Sequence, residues 1–264
     1  MKEQPPKQIY KYLKFNKNTE DILKNRRFYL AGTNELNDLL DLDQDPFCDL
    51  SQENRFIAQL YMKGCRVTCF TERKNNMAFW HHYTENYQGI CLEFNTQNED
   101  LFQSNLIKVK YEELKNFTNN NSYFTPQELM ATKRPEWSYE EEWRIINQPL
   151  TLTTDIEQNI SASNKLIDTI IESQFLDDPN KKEKLKNKYT PEQILEFYQL
   201  NFELLKKNNK LHINFNESSL KNIYFGVKTS EEDIKNVKNW VSGIKHIQFY
   251  KMQINKRTID FILI

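Results

Sequence analysis

The stretch from Lys133 to Ile145, KRPEWSYEEEWRI, concentrates ionisable side chains that could take part in chemistry. It places three consecutive glutamates, Glu140–Glu142, directly before Trp143 and Arg144. Adjacent carboxylates repel one another, so such a row needs water, a cationic partner or a functional reason to be there. Two kinds of chemistry would use it: general acid–base catalysis, and stabilisation of a cation that forms during a reaction.

The order of residues in EEEWRII predicts how these side chains are divided if the segment is a β-strand. Side chains alternate between the two faces of a strand. One face then carries Glu140, Glu142 and Arg144, and the other carries Glu141, Trp143 and Ile145. Because the second face is the more apolar, we expect it to face the core. On the first face Arg144 neutralises one acid, which leaves the other with a perturbed pKa. From this stretch alone, the simpler interpretation is a surface ion-pair ladder on an edge strand.

A second dense segment, VTCFTERKNNMAFWHHYTENYQGICLEF, places Trp80, His81, His82 and Tyr83 before a predicted strand. Trp80 and Tyr83 are three residues apart, the spacing of a core stripe on a helix. The alternative is that an aromatic ring here is a stacking platform for a ligand. We interpret Trp80 as a core residue and the two histidines as a solvent-facing pair, whereas Tyr83 fits both interpretations.

Metal sites are a weaker interpretation of this sequence. Cys65 and Cys69 with His81 and His82 could form a zinc site, but their spacing matches no zinc module, and buried thiols are the simpler prediction. A metal-dependent nuclease would need a carboxylate cluster, for which the candidates are Asp38, Asp41, Asp43 and Asp45. Such an acidic loop is more often a solvated turn. We therefore predict no metal site.

The sequence lacks the motifs of the commonest enzyme classes. It has only 5 glycines in 264 residues and neither a dinucleotide-binding GxGxxG nor a phosphate-binding Walker A loop. It also lacks the HExxH and GxSxG motifs. Catalysis by separate carboxylates, without a retained cofactor, remains open.

Composition predicts a single folded domain over residues 1–264. Aromatic residues make up 13% of the chain, which is enough for a hydrophobic core, and the formal net charge is −1. This near-neutral charge gives no global attraction to nucleic acid. The first residues, MKEQPPKQIYKY, do not form a signal peptide, and no apolar run is long enough to span a membrane. We therefore expect a cytoplasmic protein with reduced cysteines.

The hydrophobic pattern predicts an α+β fold with a central mixed or antiparallel sheet and flanking helices. Strands are predicted at Ile9–Phe15, Arg26–Gly32, Arg66–Glu72, Gly89–Phe94, Leu106–Glu113, His212–Phe215, Leu220–Val227, His246–Ile254 and Arg257–Ile264. Short helices are predicted between them, the first with Thr19 as its N-cap. Residues 155–210 have the pattern of amphipathic helices, and we expect them to form a helical insertion or lid within the domain.

The order of these motifs resembles the bacterial domain-of-unknown-function 2971 family. The resemblance extends over nearly the whole chain. Its most specific elements are the block of Trp80, Tyr83 and Gly89, and the group Trp137, Tyr139, Glu140, Glu142 and Arg144. The family name implies no activity.

The arrangement of parts also resembles the ADP-ribosyltransferase fold of phage-defence and toxin relatives, and the E-x-E-W-R strand is similar to AbiG-type abortive-infection proteins. This resemblance implies that Glu142 is the catalytic glutamate and Glu140 its partner. It places Tyr10 or Lys11 at the substrate contact of the first strand and Tyr83 at the stacking position. Trp80 and Arg144 are further substrate-binding candidates.

The resemblance implies an activity that consumes NAD. NAD would be a cosubstrate, the acceptor of ADP-ribose would be a protein or nucleic acid, and a cognate neutralising protein would accompany a toxin. Two alternatives stay open: a non-catalytic ligand-sensing or regulatory module in phage defence, and the metal-dependent nuclease.

Overall fold

A computed structural model describes residues 3–36, 65–97, 99–113, 130–147, 211–256 and 258–264. The helical insertion predicted at 155–210 and the four aspartates proposed for a nuclease lie outside these residues. The prediction of a single domain therefore stays a prediction. The described residues form an α+β structure with a mixed, largely antiparallel sheet, as the hydrophobic pattern predicted.

The described residues contain thirteen strands and four α-helices. The strands are β1 (Gln8–Leu13), β2 (Arg27–Tyr29), β3 (Ala31–Gly32), β4 (Arg66–Thr71), β5 (Ile90–Asn95), β6 (Leu106–Lys108), β7 (Lys110–Tyr111), β8 (Thr132–Lys133), β9 (Glu142–Asn147), β10 (His212–Asn214), β11 (Leu220–Phe225), β12 (Gln248–Asn255) and β13 (Thr258–Leu263). The helices are α1 (Lys17–Asn25), α2 (Met77–His82), α3 (Asp100–Asn105) and α4 (Glu231–Trp240).

The main sheet has the strand order β13-β12-β11-β5-β1-β4-β9-β6, with β3 paired to β4 outside this path. Its pairs are antiparallel except for β11 and β12, which are parallel. β10 pairs with β2, and β7 pairs with β8, in two small separate ladders. The strand that carries Glu142 therefore lies between β4 and β6 in the main sheet.

An apolar cluster covers each face of the sheet. On one face α1, α3 and α4 contribute residues such as Leu23, Phe102 and Val237, which pack with Ile9, Phe94 and Trp143 from the strands. On the other face α2 contributes Phe79 and Trp80, which pack with Tyr10, Tyr12, Cys91, Tyr224 and Met252. Alternation along β1 explains the division, because Ile9 and Tyr10 point to opposite faces.

Most predicted strands are present, and the differences have local causes. The strand predicted at Arg26–Gly32 is divided into β2 and β3, because Leu30 donates its backbone N–H to Leu211 and the two parts pair with different strands. The strand predicted at Leu106–Glu113 is interrupted at Val109, and α3 was not predicted. The first helix starts earlier than expected, since the side chain of Asn16, and not of Thr19, caps it.

β1 and β4 are neighbours in the sheet, but they separate after a short contact. Only Tyr10 and Thr71 are in register between them, whereas β1 pairs with β5 along its whole length. A cleft of about 250 Å³ lies at this separation, lined by consecutive residues of both strands, from Tyr10 to Leu13 and from Val67 to Thr71. The split in the sheet is what creates the candidate site.

Candidate functional site

The row of three glutamates is placed by a sharp change of backbone direction. A 3-10 helix spans Pro135–Glu140, Glu141 takes a left-handed conformation with φ of 42°, and β9 begins at Glu142. Glu140 is therefore not on the strand, which corrects the prediction of a continuous strand through EEEWRII. The turn compensates for this by directing the side chains of Glu140 and Glu142 to the same side, while Glu141 turns away.

Hydrogen bonds from neighbouring strands hold this turn. The Thr71 hydroxyl donates to the backbone oxygen of Glu140 at 2.6 Å, and the backbone N–H of Glu142 donates to the Tyr111 hydroxyl at 2.7 Å. Glu141 points outward, where its carboxylate accepts a hydrogen bond from Arg73 at 2.7 Å. Because non-glycine residues rarely adopt positive φ, the surrounding contacts must offset the cost of this conformation.

Glu142 is held by Arg144, as the alternation along β9 predicted. The Arg144 guanidinium donates from Nε to Glu142 Oε1 at 2.8 Å and from a terminal nitrogen to Oε2 at 3.0 Å. Arg144 is fully buried, and Glu142 is 5% exposed. A surface ion-pair ladder on an edge strand, the simpler interpretation of the sequence, is therefore wrong: the strand is internal and the pair is buried.

Glu140 has different partners from Glu142. The Tyr83 hydroxyl donates to Glu140 Oε1 at 2.9 Å, and Lys133 Nζ donates to Oε2 at 2.6 Å. Lys133 also lies 3.5 Å from Glu142 Oε2, so one ammonium group bridges the two acids. The ring of Trp137 lies 4.5 Å from Lys133 Nζ on its other side. This set of two acids and two cations is neutral overall and buried.

The surroundings shift the pKa values of the two carboxyl groups in opposite directions. Burial raises the pKa of Glu140, an effect that Lys133 reduces and the negative charge of Glu142 reinforces. Burial also opposes ionisation of Glu142, but the charge and hydrogen bonds of Arg144, with Lys133, outweigh it and lower its pKa to about 2. Glu142 is therefore held ionised, whereas the environment of Glu140 makes this acid harder to ionise than an ordinary glutamate.

Both carboxylates border the cleft between β1 and β4, together with residues from other elements. Phe79 and Tyr83 of the α2 region contribute to the same wall, with their rings stacked at a centroid distance of 4.9 Å. Tyr83 is half-buried, so its ring is accessible from the cleft. Ile22 of α1 and Glu35, which lies outside the regular strands, also line the cleft.

Lys11 lies at the point where β1 and β4 separate. Its Nζ donates to the Thr68 hydroxyl at 2.9 Å and to the backbone oxygen of Cys69 at 3.0 Å. Where β1 separates from β4, the Lys11 side chain donates the hydrogen bond that the Cys69 carbonyl would otherwise lack. Burial lowers the pKa of the Lys11 ammonium, and the nearby Cys69 and Glu142 oppose the effect only in part.

The predicted site residues divide into those that line the cleft and those that do not. Tyr10, Lys11, Tyr83, Glu140 and Glu142 line it. Trp80 is fully buried and donates its indole N–H to the backbone oxygen of Lys74, which agrees with its interpretation as a core residue but gives it no direct access to a ligand. Arg144 lies behind Glu142 and supports the site without lining it.

Lys133 is the participant that the sequence analysis missed. It is the first residue of the stretch KRPEWSYEEEWRI, but it lies on β8, away from the glutamates in sequence, and it is only 5% exposed. A signal was available, since two acids that face Arg144 alone leave one negative charge unbalanced. A second buried cation was therefore to be expected nearby.

The interpretation of the cysteines and histidines agrees with the described structure. Cys65 and Cys91 are buried free thiols and Cys69 is a half-buried one, while His81 and His82 are exposed. Among the described residues, no group of three or more histidine, cysteine, aspartate or glutamate side chains could hold a metal ion. Within the same residues, no helix is both long and apolar enough to cross a membrane.

Fold and site together define an α+β protein whose central sheet is split to form a cleft, with a buried pair of carboxylates on one wall. Residues 79–145 match the model of a family described as protein of unknown function (DUF2971), which confirms the resemblance to that family over this stretch. The matched residues include the part of α2 from Phe79 onward, Tyr83, Lys133 and the glutamate pair. No curated protein and no solved structure matches the chain.

Proposed function

We propose that the cleft between β1 and β4 binds NAD, cleaves its nicotinamide–ribose bond and transfers ADP-ribose to an acceptor. The observation that carries the proposal is the pair Glu140 and Glu142 on one wall of the cleft, with pKa values moved in opposite directions. Two acids that differ in ionisation can divide between them the tasks of stabilising positive charge and moving a proton.

Glu142 is suited to the first of these tasks. Cleavage of the bond to nicotinamide builds positive charge on the ribose, and a fixed carboxylate stabilises that charge. With a pKa of about 2, Glu142 is ionised at neutral pH. Arg144 donates a hydrogen bond to each oxygen of Glu142 and fixes the orientation of this carboxylate at the cleft.

Glu140 is suited to the second task. A raised pKa brings a carboxylate closer to the operating pH, which makes it a better base toward the hydroxyl or amine of an acceptor. Its hydrogen bonds from Tyr83 and Lys133 hold it in one place. We therefore assign activation of the acceptor to Glu140 and stabilisation of the ribosyl cation to Glu142.

The remaining cleft residues would bind the substrate. The half-buried ring of Tyr83 would stack on the nicotinamide, and Tyr10 or Lys11 would contact the substrate from the first strand. A cleft of about 250 Å³ is small for a ligand pocket, so it would hold the nicotinamide–ribose end of NAD and not the whole dinucleotide. NAD would be consumed and no cofactor retained.

The neutral charge of the buried set favours a second candidate, a non-catalytic module that senses a ligand. Glu140 and Glu142 are already balanced by Lys133 and Arg144, so the wall needs no ligand to compensate its charge. Such a module would bind NAD or a related compound without cleaving it. The nuclease alternative depends on aspartates outside the described residues.

From the resemblance alone, we propose that the protein is a bacterial phage-defence or toxin effector that acts in the cytoplasm. Its acceptor would be a protein or nucleic acid, and its partner would be a cognate neutralising protein.

The experiment that tests the proposal follows two labels on NAD in the presence of cell extract. Release of labelled nicotinamide measures bond cleavage, and transfer of label from the adenylate part to macromolecules measures acceptor use. Binding without release would favour the sensing module. Neither binding nor release with any extract would exclude both the transferase and an NAD sensor.

A further inference from the structure

Lys11 is a half-buried lysine of the cleft whose amine has no carboxylate partner among the described residues. Within the described part of the chain, no carboxylate lies within ion-pair distance of its Nζ, and its hydrogen-bond partners are the neutral Thr68 hydroxyl and the Cys69 carbonyl. The rings of Phe70 and Phe28 lie 5.0 and 5.9 Å from Nζ. This environment differs from that of Lys133, which contacts two acids.

Three properties of this position meet the requirements of a nucleophilic amine. Lys11 lines the cleft, so a small molecule can reach it. Two acceptors hold two of its N–H groups, which leaves the remaining tetrahedral position of a neutral amine for its lone pair. Burial near the aromatic rings lowers the pKa of the Lys11 ammonium and so increases the share of the neutral amine, the form in which lysines make Schiff bases.

We propose that Lys11 is a covalent site for small carbonyl compounds, namely hydroxyaldehydes or hydroxyketones that fit the cleft, and that it binds them as an imine. The Nζ lone pair attacks the carbonyl carbon, and an amine proton passes to the oxygen to give a carbinolamine. A proton from solvent then removes the hydroxyl as water, leaving a protonated imine between Nζ and the former carbonyl carbon. No oxidant or further reactant is consumed.

The surroundings of Lys11 fit this class of ligand. The polar groups that share the cleft include the Thr68 and Thr71 hydroxyls, Glu35 and Glu140, which can form hydrogen bonds with the hydroxyl groups of such a compound. The volume of about 250 Å³ limits the ligand to a small molecule. This inference does not rest on NAD cleavage, because imine formation uses the amine alone.

The test uses the full chain, glyceraldehyde as the probe and cyanoborohydride as the reductant that traps an imine. The protein is digested after short exposures at neutral pH, and mass spectrometry locates the reduced adduct on each lysine. We expect the adduct to form at Lys11 well before it forms at exposed lysines such as Lys24. The Lys11→Arg variant, which keeps N–H donors for Thr68 and Cys69 but cannot form an imine, should lose this early adduct, whereas Lys24→Arg should keep it.

Two results would overturn the proposal. One is labelling of Lys11 that is no faster than labelling of Lys24 in the unaltered protein, a comparison that does not depend on any variant folding correctly. The other is an early adduct that persists elsewhere in a folded Lys11→Arg variant. Since neither readout involves NAD, failure here is distinguishable from failure of the proposed transferase activity.

Discussion

Arg144 determines what the row of glutamates can do. It is fully buried, contacts both oxygens of Glu142 and donates a further hydrogen bond to the backbone oxygen of Met130 at 2.7 Å. A buried guanidinium is tolerated only with such partners. Glu142 therefore has a structural role as well as its proposed catalytic one, and a substitution there must be interpreted with stability measured alongside activity.

At the residue scale, the first prediction concerns the stability of Glu142 variants. Glu142→Gln should lower the free energy of unfolding by about 3–5 kcal/mol, because it leaves the Arg144 charge buried without its counter-ion. The double variant Glu142→Gln with Arg144→Met removes both charges and should recover most of that loss. Urea unfolding of the three proteins measures the difference. If the single and double variants lose the same free energy of unfolding, the loss does not come from an unpaired Arg144 charge.

A second prediction at this scale concerns pH. The folded-state pKa of Glu142 lies below its ordinary value, so the stability it contributes is complete above about pH 4.5 and is lost as the pH falls toward 2. One pKa unit corresponds to about 1.4 kcal/mol, so this contribution is about 3 kcal/mol. Glu140 acts in the opposite sense, because its raised pKa removes stability as the pH rises through it.

The measurement is acid unfolding of the unaltered protein and of the double variant. Unfolding free energies of the two should converge or cross between about pH 4.5 and 2, since only the unaltered protein loses the Glu142 contribution there. Parallel curves over that range would contradict the assignment of the low pKa to Glu142.

At the residue scale, the sequence predicted part of the ion pairing but not the backbone geometry. Pairing of Glu142 with Arg144 followed from alternation along a strand. The resemblance placed Tyr83 in the same site as the glutamates, but its hydrogen bond to Glu140 was not predicted. The unbalanced charge of the second acid indicated a further buried cation, but the sequence did not show that Lys133, 7 residues before Glu140, supplies it. The left-handed conformation of Glu141 had no signal either, since glutamate rarely adopts it.

At the scale of elements, two turns hold the site in place. One is the turn at Glu141. The other follows α2, where Glu85, Asn86 and Tyr87 all have positive φ, between 49° and 69°. This second turn docks against Gly226 through Tyr87 and leads into Gly89, which packs against Leu13 of β1. It thereby fixes α2, and with it Tyr83, against the sheet.

The prediction for this element is that Gly89 cannot carry a side chain. A methyl group there would overlap the Leu13 backbone oxygen and crowd Thr84, so Gly89→Ala should lower the free energy of unfolding by about 3 kcal/mol or more. Gly243→Ala is the matched control, because a methyl group at Gly243 meets nothing within 4 Å. That variant should be neutral or slightly more stable. Similar thermal unfolding of both variants would mean that the turn is not held as described.

At the scale of the whole molecule, the separation of β1 from β4 creates the cleft on which the proposed function depends. The rest of the sheet is continuous, and Lys11, Glu140 and Glu142 line the cleft at this separation. The hydrophobic pattern predicted the α+β class and most strands, since these depend on local periodicity. The split could not be predicted, because the order and register of strands distant in sequence have no local signal.

The assignment of Glu142 as the carboxylate that stabilises the ribosyl cation is tested by release of labelled nicotinamide from NAD. The rate is compared between the unaltered protein and its glutamate variants, with cell extract present. Glu142→Gln, alone and combined with Arg144→Met, should lower the rate by about 10²–10³ at a temperature where circular dichroism shows each protein folded. Glu140→Gln should reduce transfer to the acceptor more than it reduces hydrolysis. Glu141→Gln should leave both rates unchanged, because the Glu141 carboxylate faces Arg73 and not the cleft. Release at the unaltered rate from folded Glu142 variants, or no release by the unaltered protein with any extract, would contradict the account.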